Sequence, residues 1–371
     1  MKRAIVMPRK YIQGEGVLGE ISNYVKLLGD NPLVLWGSNS KRETEELISK
    51  SFEAANMEWS EMHFPGESTK ELGVEVAKQA KARNSGLLVG VGGGKAIDTA
   101  KGAADMAKLP IIIVPTIAST DASITSTAGW YNEEGIMTEI NVSPFNPDIL
   151  LVDTGVIIQS PKRLFIAGMG DAVTTWIEAD ASYRAKCSFS NRTGAASTMA
   201  ARTVAKLCYD TILKHGREAL VDHEEKRITP VYEDVVETLV LHSGLGGESG
   251  GIAAAHSIAN NLPWFKECKE SYHGEMVAFG VVVQLMLESY LSKDETSRIT
   301  DFIIDVGLPS TLSDLGIKDV SKKRLDEFCS VCLESNVSFF EAIPVKVTKE
   351  TLLNAIIAAD EFGKKRKAVL R

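Results

Sequence analysis

From the N-terminus to about Leu151 the chain alternates short apolar runs with amphipathic stretches, and this rhythm limits its fold more than any other feature. "PLVLWG", "MEWSEMHF", "GLLVGVG" and "LPIIIVPT" are strand-length and bounded by turn residues, whereas "KRETEELISKSFEAAN", "TKELGVEVAKQAKARN" and "KAIDTAKGAADMAK" place apolar residues at helical spacing. Strand and helix in strict alternation require a parallel sheet covered on both faces. Ligands then belong at the carboxyl ends of the strands.

After about Ser160 the pattern changes. Ala-rich segments such as "GDAVTTWIEADASYRA" and "GAASTMAARTVAKLCYDTILKHG" keep helical spacing, with no alternation of period two. Pro161 suits the first turn of a new helix. The expected fold is therefore an α/β parallel-sheet domain over 1–160 followed by an all-α domain over 161–371. A length of 371 residues agrees, since it exceeds the roughly 250 to 300 residues at which single cores stop growing. No repeat or low-complexity linker separates the halves, and a cleft between them is the expected place for chemistry.

A net charge of −8 and a pI near 5.5 exclude a non-specific nucleic-acid binder, which needs a basic face. The basic run "KKRKAVLR" at the C-terminus reads as a solvated helix end. No apolar run reaches the roughly 18 to 20 residues of a membrane span, and the first residues lack a signal-peptide core, so a cytoplasmic protein is expected. Five scattered cysteines fit reduced thiols, and "CSVC" at Cys329 to Cys332 stands alone without a second metal-binding pair.

The stretch "GLLVGVGGGKAIDTAKG" ends a strand in clustered glycines and starts a helix. It is neither G-x-G-x-x-G, because Lys95 stands at the third glycine position, nor a Walker loop, because Ala96 replaces the magnesium-binding hydroxyl. Main-chain amides at Gly92, Gly93 and Gly94, together with the helix N-terminus, nevertheless suit a phosphate, and Lys95 adds a charge. Asp98 suits either the helix dipole or a hydrogen bond to a carboxamide or ribose. The next strand runs into "PTIASTDASITSTAGWY", where Thr116, Ser119 and Thr125 offer small hydroxyls and Asp121 is the lone carboxylate. An Asx-turn is an equally good reading of Asp121.

Only six histidines occur. His256 in "GGIAAAHSIANNL" and His273 in "SYHGEMVAFG" are separated by a segment containing Pro263, so each belongs to its own helix or helix start. Asp171 in "AGMGDAVTTW" is placed at the start of the first helix past the domain boundary. Two imidazoles and a carboxylate would leave a metal position open, as catalytic sites do, and the set suits zinc or ferrous iron. Spacing alone also allows ordinary core histidines, the reading given to His63, His215, His223 and His242.

Taken together and in order, "GVGGGKAIDTAK", "PTIASTDA", "AGMGDAVTTWIEA", "ESGGIAAAHSIANNL" and "YHGEMVAFG" resemble the glycerol dehydrogenase branch of the metal-containing, iron-type alcohol dehydrogenases. The resemblance spans nearly the whole chain. It implies a Rossmann-like domain and a helical domain, an architecture shared with dehydroquinate synthase, and a homo-oligomer. It implies a nicotinamide cofactor, one divalent metal with zinc favoured over iron, and a small hydroxy or keto substrate. Asp171, His256 and His273 match the metal ligands. Gly94, Lys95, Ala96, Ile97 and Asp98 match one cofactor loop, and Thr116, Ile117, Ala118 and Ser119 the other. Thr125, Thr127 and Tyr131 lie at equivalent cofactor positions in the next segment. Asp121 matches the residue that contacts substrate hydroxyls and is the candidate catalytic group.

Two positions depart from the family pattern. Where an Asp commonly meets the adenosine ribose, this chain has Ser38, with Lys41 and Arg42 just beyond, so NADP is expected to be accepted and favoured over NAD; the two cations also suit a helix start that simply faces solvent. Where glycerol-oxidising members carry a phenylalanine, this chain has Gly247, which implies a larger pocket and admits longer hydroxy or keto acids. A sugar-phosphate cyclase on the same scaffold is the alternative, although only Lys266 and Lys269 near the metal motifs could meet its phosphate. A non-catalytic dinucleotide binder is the third reading.

Overall fold

The computed structural model describes residues 2–132, 137–187 and 193–370. Two compact units emerge: an α/β unit of Val6–Lys162 and Asp222–Gly244, and a helical unit of Met1–Ile5, Arg163–Val221 and Leu245–Arg371. The sequence places one boundary near residue 160. The chain divides between Lys162 and Arg163, and it also returns residues 222–244 to the α/β unit. Buried and part-buried polar contacts hold this segment there. His223 bonds through its ring nitrogens to the Ser160 carbonyl and the Tyr232 hydroxyl, and Glu233 accepts hydrogen bonds from Gln13 and Thr154.

The short strand β1 (Arg3–Ala4) belongs to the helical unit. The α/β unit follows as β2 (Lys10–Gly14), α1 (Ile21–Leu28), β3 (Leu33–Trp36), α2 (Ser38–Ala54), β4 (Ser60–His63), α3 (Lys70–Ala82), β5 (Leu88–Gly92), α4 (Gly94–Ala107) and β6 (Ile111–Pro115). It continues with β7 (Thr127–Tyr131), β8 (Met137–Val142), β9 (Ile149–Asp153) and α5 (Thr154–Ile157). Six strands form one parallel sheet in the order β2-β9-β6-β5-β3-β4. Strands β3, β5, β6 and β9 are buried along their whole length, as a sheet covered on both faces requires. The order reverses direction between β3 and β5, so the carboxyl ends of these two strands flank the topological switch point where such sheets bind ligands.

The hairpin β7/β8 has no counterpart in the apolar rhythm of the sequence. It is antiparallel and sits outside the main sheet. Trp130 anchors it: the indole is buried and fills space left by two missing β-carbons, which at Gly73 of α3 and Gly102 of α4 would lie 2.5 and 2.2 Å from its ring.

The rest of the chain is helical, as expected: α6 (Lys162–Arg184), α7 (Met199–Glu225), α8 (Pro230–Glu237), α9 (Ser243–Gly250), α10 (Ala254–Asn261), α11 (His273–Glu288), α12 (Lys293–Asp305), α13 (Lys322–Glu334) and α14 (Lys349–Leu370). A π-helical turn, Thr238–His242, joins α8 to α9, and the small pair β1/β10, with β10 at Ala196–Ser197, is the departure from a purely helical unit. Helix α11 is apolar on every side and buried from Gly274 to Leu285, which makes it the centre of its unit. Pro161 stands immediately before α6. Asp171 lies ten residues inside α6 rather than at its start, because Gly168 and Gly170 do not interrupt the helix. Among the described residues no helix is long and apolar enough to cross a membrane.

Replacing Gly102 by Ala should force the Trp130 indole out of place. The expected cost is about 1 to 3 kcal/mol of stability, read as a lower urea midpoint, with Trp130→Phe in that background recovering part of it.

Candidate active site

At the carboxyl end of β5 the chain turns through Gly92, whose φ of 152° is a conformation other residues rarely adopt, into Gly93 and α4. No side chain caps α4 at Gly93, so the helix presents its positive end and first amides without an internal acceptor. A β-carbon on Gly93 would come within 2.8 Å of Ile117, so this side chain lies directly against the turn. Ala96, Ile97 and Ala118 are buried and act as packing around the turn. Lys95 is half-exposed and paired with Glu67 at 2.6 Å, above the ring of Tyr131 at 5.3 Å. Burial, with Asp98 and Glu67 nearby, pushes the Tyr131 hydroxyl pKa well up, so the group stays protonated.

The hydroxyl-rich loop begins where the Thr116 amide donates to the Gly92 carbonyl. Its shape depends on Lys101, whose role its position in the sequence barely signals. The buried Lys101 ammonium donates to the carbonyls of Ala122, Thr125 and Thr127 and lies 3.1 Å from Asp98. Asp98 is buried one turn into α4 and accepts from the Gly129 amide, which joins the glycine helix to the hairpin. Burial raises its pKa, and Lys101 and the Gly129 amide oppose that shift. Sequence offered one clue: Lys101 stands three residues after Asp98, one turn along the same helix. Ser119 is part-buried, and the Thr125 and Thr127 hydroxyls are 3.1 Å apart. Asp121 accepts a hydrogen bond from Ser243 at 3.2 Å, just after the π-helical turn. Ser38 is exposed at the start of α2, directly after β3.

In the helical unit Asp171, His256 and His273 converge. Each offers one ligand atom, and the three atoms lie within 4.8 Å of one another. The Asp171 carboxylate is 3.5 Å from His256 Nε2 and 3.8 Å from His273 Nε2. Ligands at normal zinc distances around a tetrahedral ion are about 3.4 Å apart, so the donor set fits a cation with little adjustment. Glycines set this spacing. A β-carbon on Gly274 would lie 1.8 Å from the Ala167 carbonyl, and one on Gly170 would lie 2.2 Å from the Gly274 carbonyl, so α6 and α11 touch backbone to backbone beside Asp171 and His273. Gly280 brings α11 equally near Ala255, next to His256.

Glu178, to which the motifs alone assign no role, completes the arrangement. It is buried, two turns after Asp171 on α6. It meets His256 Nδ1 at 2.5 Å and accepts from the Ala253 and His256 amides at the start of α10. An imidazole so held by a carboxylate presents its other nitrogen, Nε2, to a metal. Burial works against charge on His256, but Glu178 and Asp171 outweigh it and raise its pKa well above the ordinary histidine value. Burial lowers that of His273. Two buried acids around these imidazoles make a place that favours positive charge. The spacing of seven residues between Asp171 and Glu178, which returns to one helix face, was the available signal.

Other candidates lie elsewhere. All five cysteines are free and buried. Burial drives the Cys329 thiol up to about 12 and raises that of Cys332 well above the ordinary cysteine value, so the C-x-x-C packs as core. Among the described residues, Asp171, His256 and His273 form the one cluster of three or more His, Cys, Asp or Glu residues spaced to hold a metal. His223 is a buried structural residue, and Lys266 and Lys269 are exposed.

Comparison with known proteins follows the same lines. Residues 8–154 match the family model described as iron-containing alcohol dehydrogenase. A glycerol dehydrogenase of Pseudomonas putida is 36% identical over 363 residues, covering 98% of both chains. The solved structure of a probable glycerol dehydrogenase from Sinorhizobium meliloti superposes with a TM-score of 0.91 at 35% identity, covering 98% of this chain and 100% of the other. That of glycerol dehydrogenase from Schizosaccharomyces pombe gives 0.93 at 31%, covering 100% and 93%. With its parallel-sheet unit, its glycine turn at the switch point and full-length likeness to these enzymes, the chain belongs to the iron-containing alcohol dehydrogenase family, oxidoreductases acting on CH–OH groups.

Proposed function

We propose that the protein is a metal-dependent, NAD(P)-linked dehydrogenase that interconverts a secondary alcohol of a polyol or hydroxy compound with its ketone. The observation that carries this reading is the meeting of Asp171, His256 and His273, with Glu178 fixing the His256 ring, in a chain so similar to glycerol dehydrogenases. These three residues would hold one divalent ion, and their two nitrogens and one oxygen suit zinc or iron, with zinc favoured. When bound, the ion supplies Lewis acidity to the substrate oxygen and the nicotinamide supplies the hydride acceptor.

The chain's own residues do the rest. Gly92, Gly93 and Gly94 open the backbone to a pyrophosphate, and Lys95 stands beside it with Glu67 as counter-charge. Thr116, Ser119, Thr125 and Thr127 offer hydroxyls and amides along one wall, which Lys101 holds in shape. Tyr131 keeps its proton and can donate. Asp121, positioned by Ser243, is the candidate for contacting substrate hydroxyls and carrying the proton. Homo-oligomers and a cytoplasmic location belong to the same proposal, the latter supported by five reduced, buried thiols.

Two chemical details refine it. The exposed Ser38 carries no charge to repel a 2′-phosphate at the end of β3, which supports use of NADP, here taken as the favoured cofactor. The glycine at position 247 of α9 supports a substrate larger than glycerol, such as a longer hydroxy or keto acid.

Three measurements test these statements. Glu178→Gln should leave the fold intact yet weaken metal binding by roughly 10- to 100-fold in a competitive chelator titration, with activity falling in parallel and returning on metal excess. Specificity constants should show NADP used at least as well as NAD, and a preference for NAD of about tenfold or more would refute the role given to Ser38. On metal-replete protein, longer hydroxy acids should be turned over better than glycerol, and a clear preference for glycerol would refute the larger pocket. The reduced-nicotinamide absorbance change in each assay also excludes a cyclase, which shows no net change.

A further inference from the structure

The cations expected to favour NADP are not equivalent in the fold. Lys41 sits in the first turn of α2, three residues after Ser38, and its ammonium is held by both oxygens of Glu61 at 2.7 and 2.8 Å and lies 3.4 Å from Glu45. Glu61 comes from β4, the edge strand paired with β3, in register with Val34. The same carboxylate accepts from the Trp36 indole at 3.2 Å, and Lys41 lies over that indole at 5.4 Å. The Arg83 guanidinium donates to the Glu61 carbonyl, which fixes the backbone beneath the carboxylate. Arg42, by contrast, is 73% exposed and has one loose carboxylate neighbour, Glu43, at 3.9 Å.

We propose that Glu61 is a specificity-determining residue for the cofactor: by engaging Lys41 it withholds that charge from a 2′-phosphate and limits the preference for NADP that Ser38 permits. This rests on the reading that the adenosine ribose lies beside Ser38. The physical argument is competition. A phosphate arriving at the start of α2 gains from the helix N-terminus and from any uncommitted cation. An ammonium already bonded to both oxygens of a carboxylate can serve the phosphate only by giving up those bonds, and Glu61 itself repels a second anion nearby. Lys41 and Glu61 are 30% and 43% exposed, so the pair is partly screened and the effect is of the size a single ion pair allows. No such competition touches NAD, whose ribose hydroxyl needs no cation. Glu61 therefore lowers kcat/KM for NADP and leaves that for NAD unchanged, so the ratio of the two cofactors reports it.

The test is the ratio of kcat/KM for NADP to that for NAD, measured on holoenzyme for the wild type, Glu61→Gln, Glu61→Gln with Lys41→Gln, and Ser38→Asp. The ratio is internal to each variant, so partial loss of folded protein cancels. Glu61→Gln should raise it about fivefold, as release of one ion pair allows, and adding Lys41→Gln should abolish the gain. Ser38→Asp should move the ratio toward NAD. If Ser38→Asp shifts the ratio and Glu61→Gln does not, the ribose position stands and the role of Glu61 is overturned. A gain in Glu61→Gln that survives Lys41→Gln overturns withholding of Lys41 as its cause. If neither Ser38→Asp nor Glu61→Gln moves the ratio, the ribose does not lie at Ser38 and both ideas fall.

Discussion

The candidate metal site depends on helices meeting without side chains between them. Asp171, His256 and His273 come from three helices, and the closeness of those helices sets where the three donor atoms meet. Gly170 against Gly274, and Gly280 against Ala255, remove the intervening carbon atoms and let backbone rest on backbone. Each of these contacts neighbours a donor residue. Packing and chemistry are thus specified by adjacent letters of the sequence, and a methyl group at one of them would act on donor spacing before it acted on the donors.

Electrostatics then follows from this packing. Bringing Asp171 and Glu178 into a dry interior beside two imidazoles is unfavourable unless positive charge is supplied. In the protein alone that demand falls on His256, held between the two carboxylates. The α/β unit solves the reverse problem. Its buried cation, Lys101, is satisfied by main-chain carbonyls and Asp98, and its half-exposed cations Lys95 and Lys41 are each engaged by a carboxylate.

Much of the architecture was legible because the driving pattern is strong. Apolar runs of strand length alternating with amphipathic helices leave few alternatives to a covered parallel sheet, and the glycine turn falls at its switch point as the pattern requires. Other features leave little or no periodic signal in the sequence. The β7/β8 hairpin is held by Trp130 filling the space beside two glycines distant in sequence. Residues 222–244 return to the α/β unit through polar contacts such as Glu233 with Gln13. The glycines before Asp171 suggest a helix start because glycine usually weakens helices, whereas here Gly170 serves an interhelical contact. Glu178 and Lys101 carry only a weak spacing signal, seven residues after Asp171 and three after Asp98, because most of their hydrogen bonds go to main-chain amides and carbonyls distant in sequence. Lys41 and Arg42 look alike as adjacent basic residues, and only a strand pairing separates them.

Lys101 has one more implication. By tying the carbonyls of Ala122, Thr125 and Thr127 to the body of α4, it spends the loop's conformational freedom during folding rather than at ligand arrival. On the proposed reading, a dinucleotide would meet a wall whose contour is already set, so little ordering entropy would be lost on capture and little regained on departure. Exchange of reduced for oxidised cofactor at that proposed site would then take place against a loop already tied to its own helix.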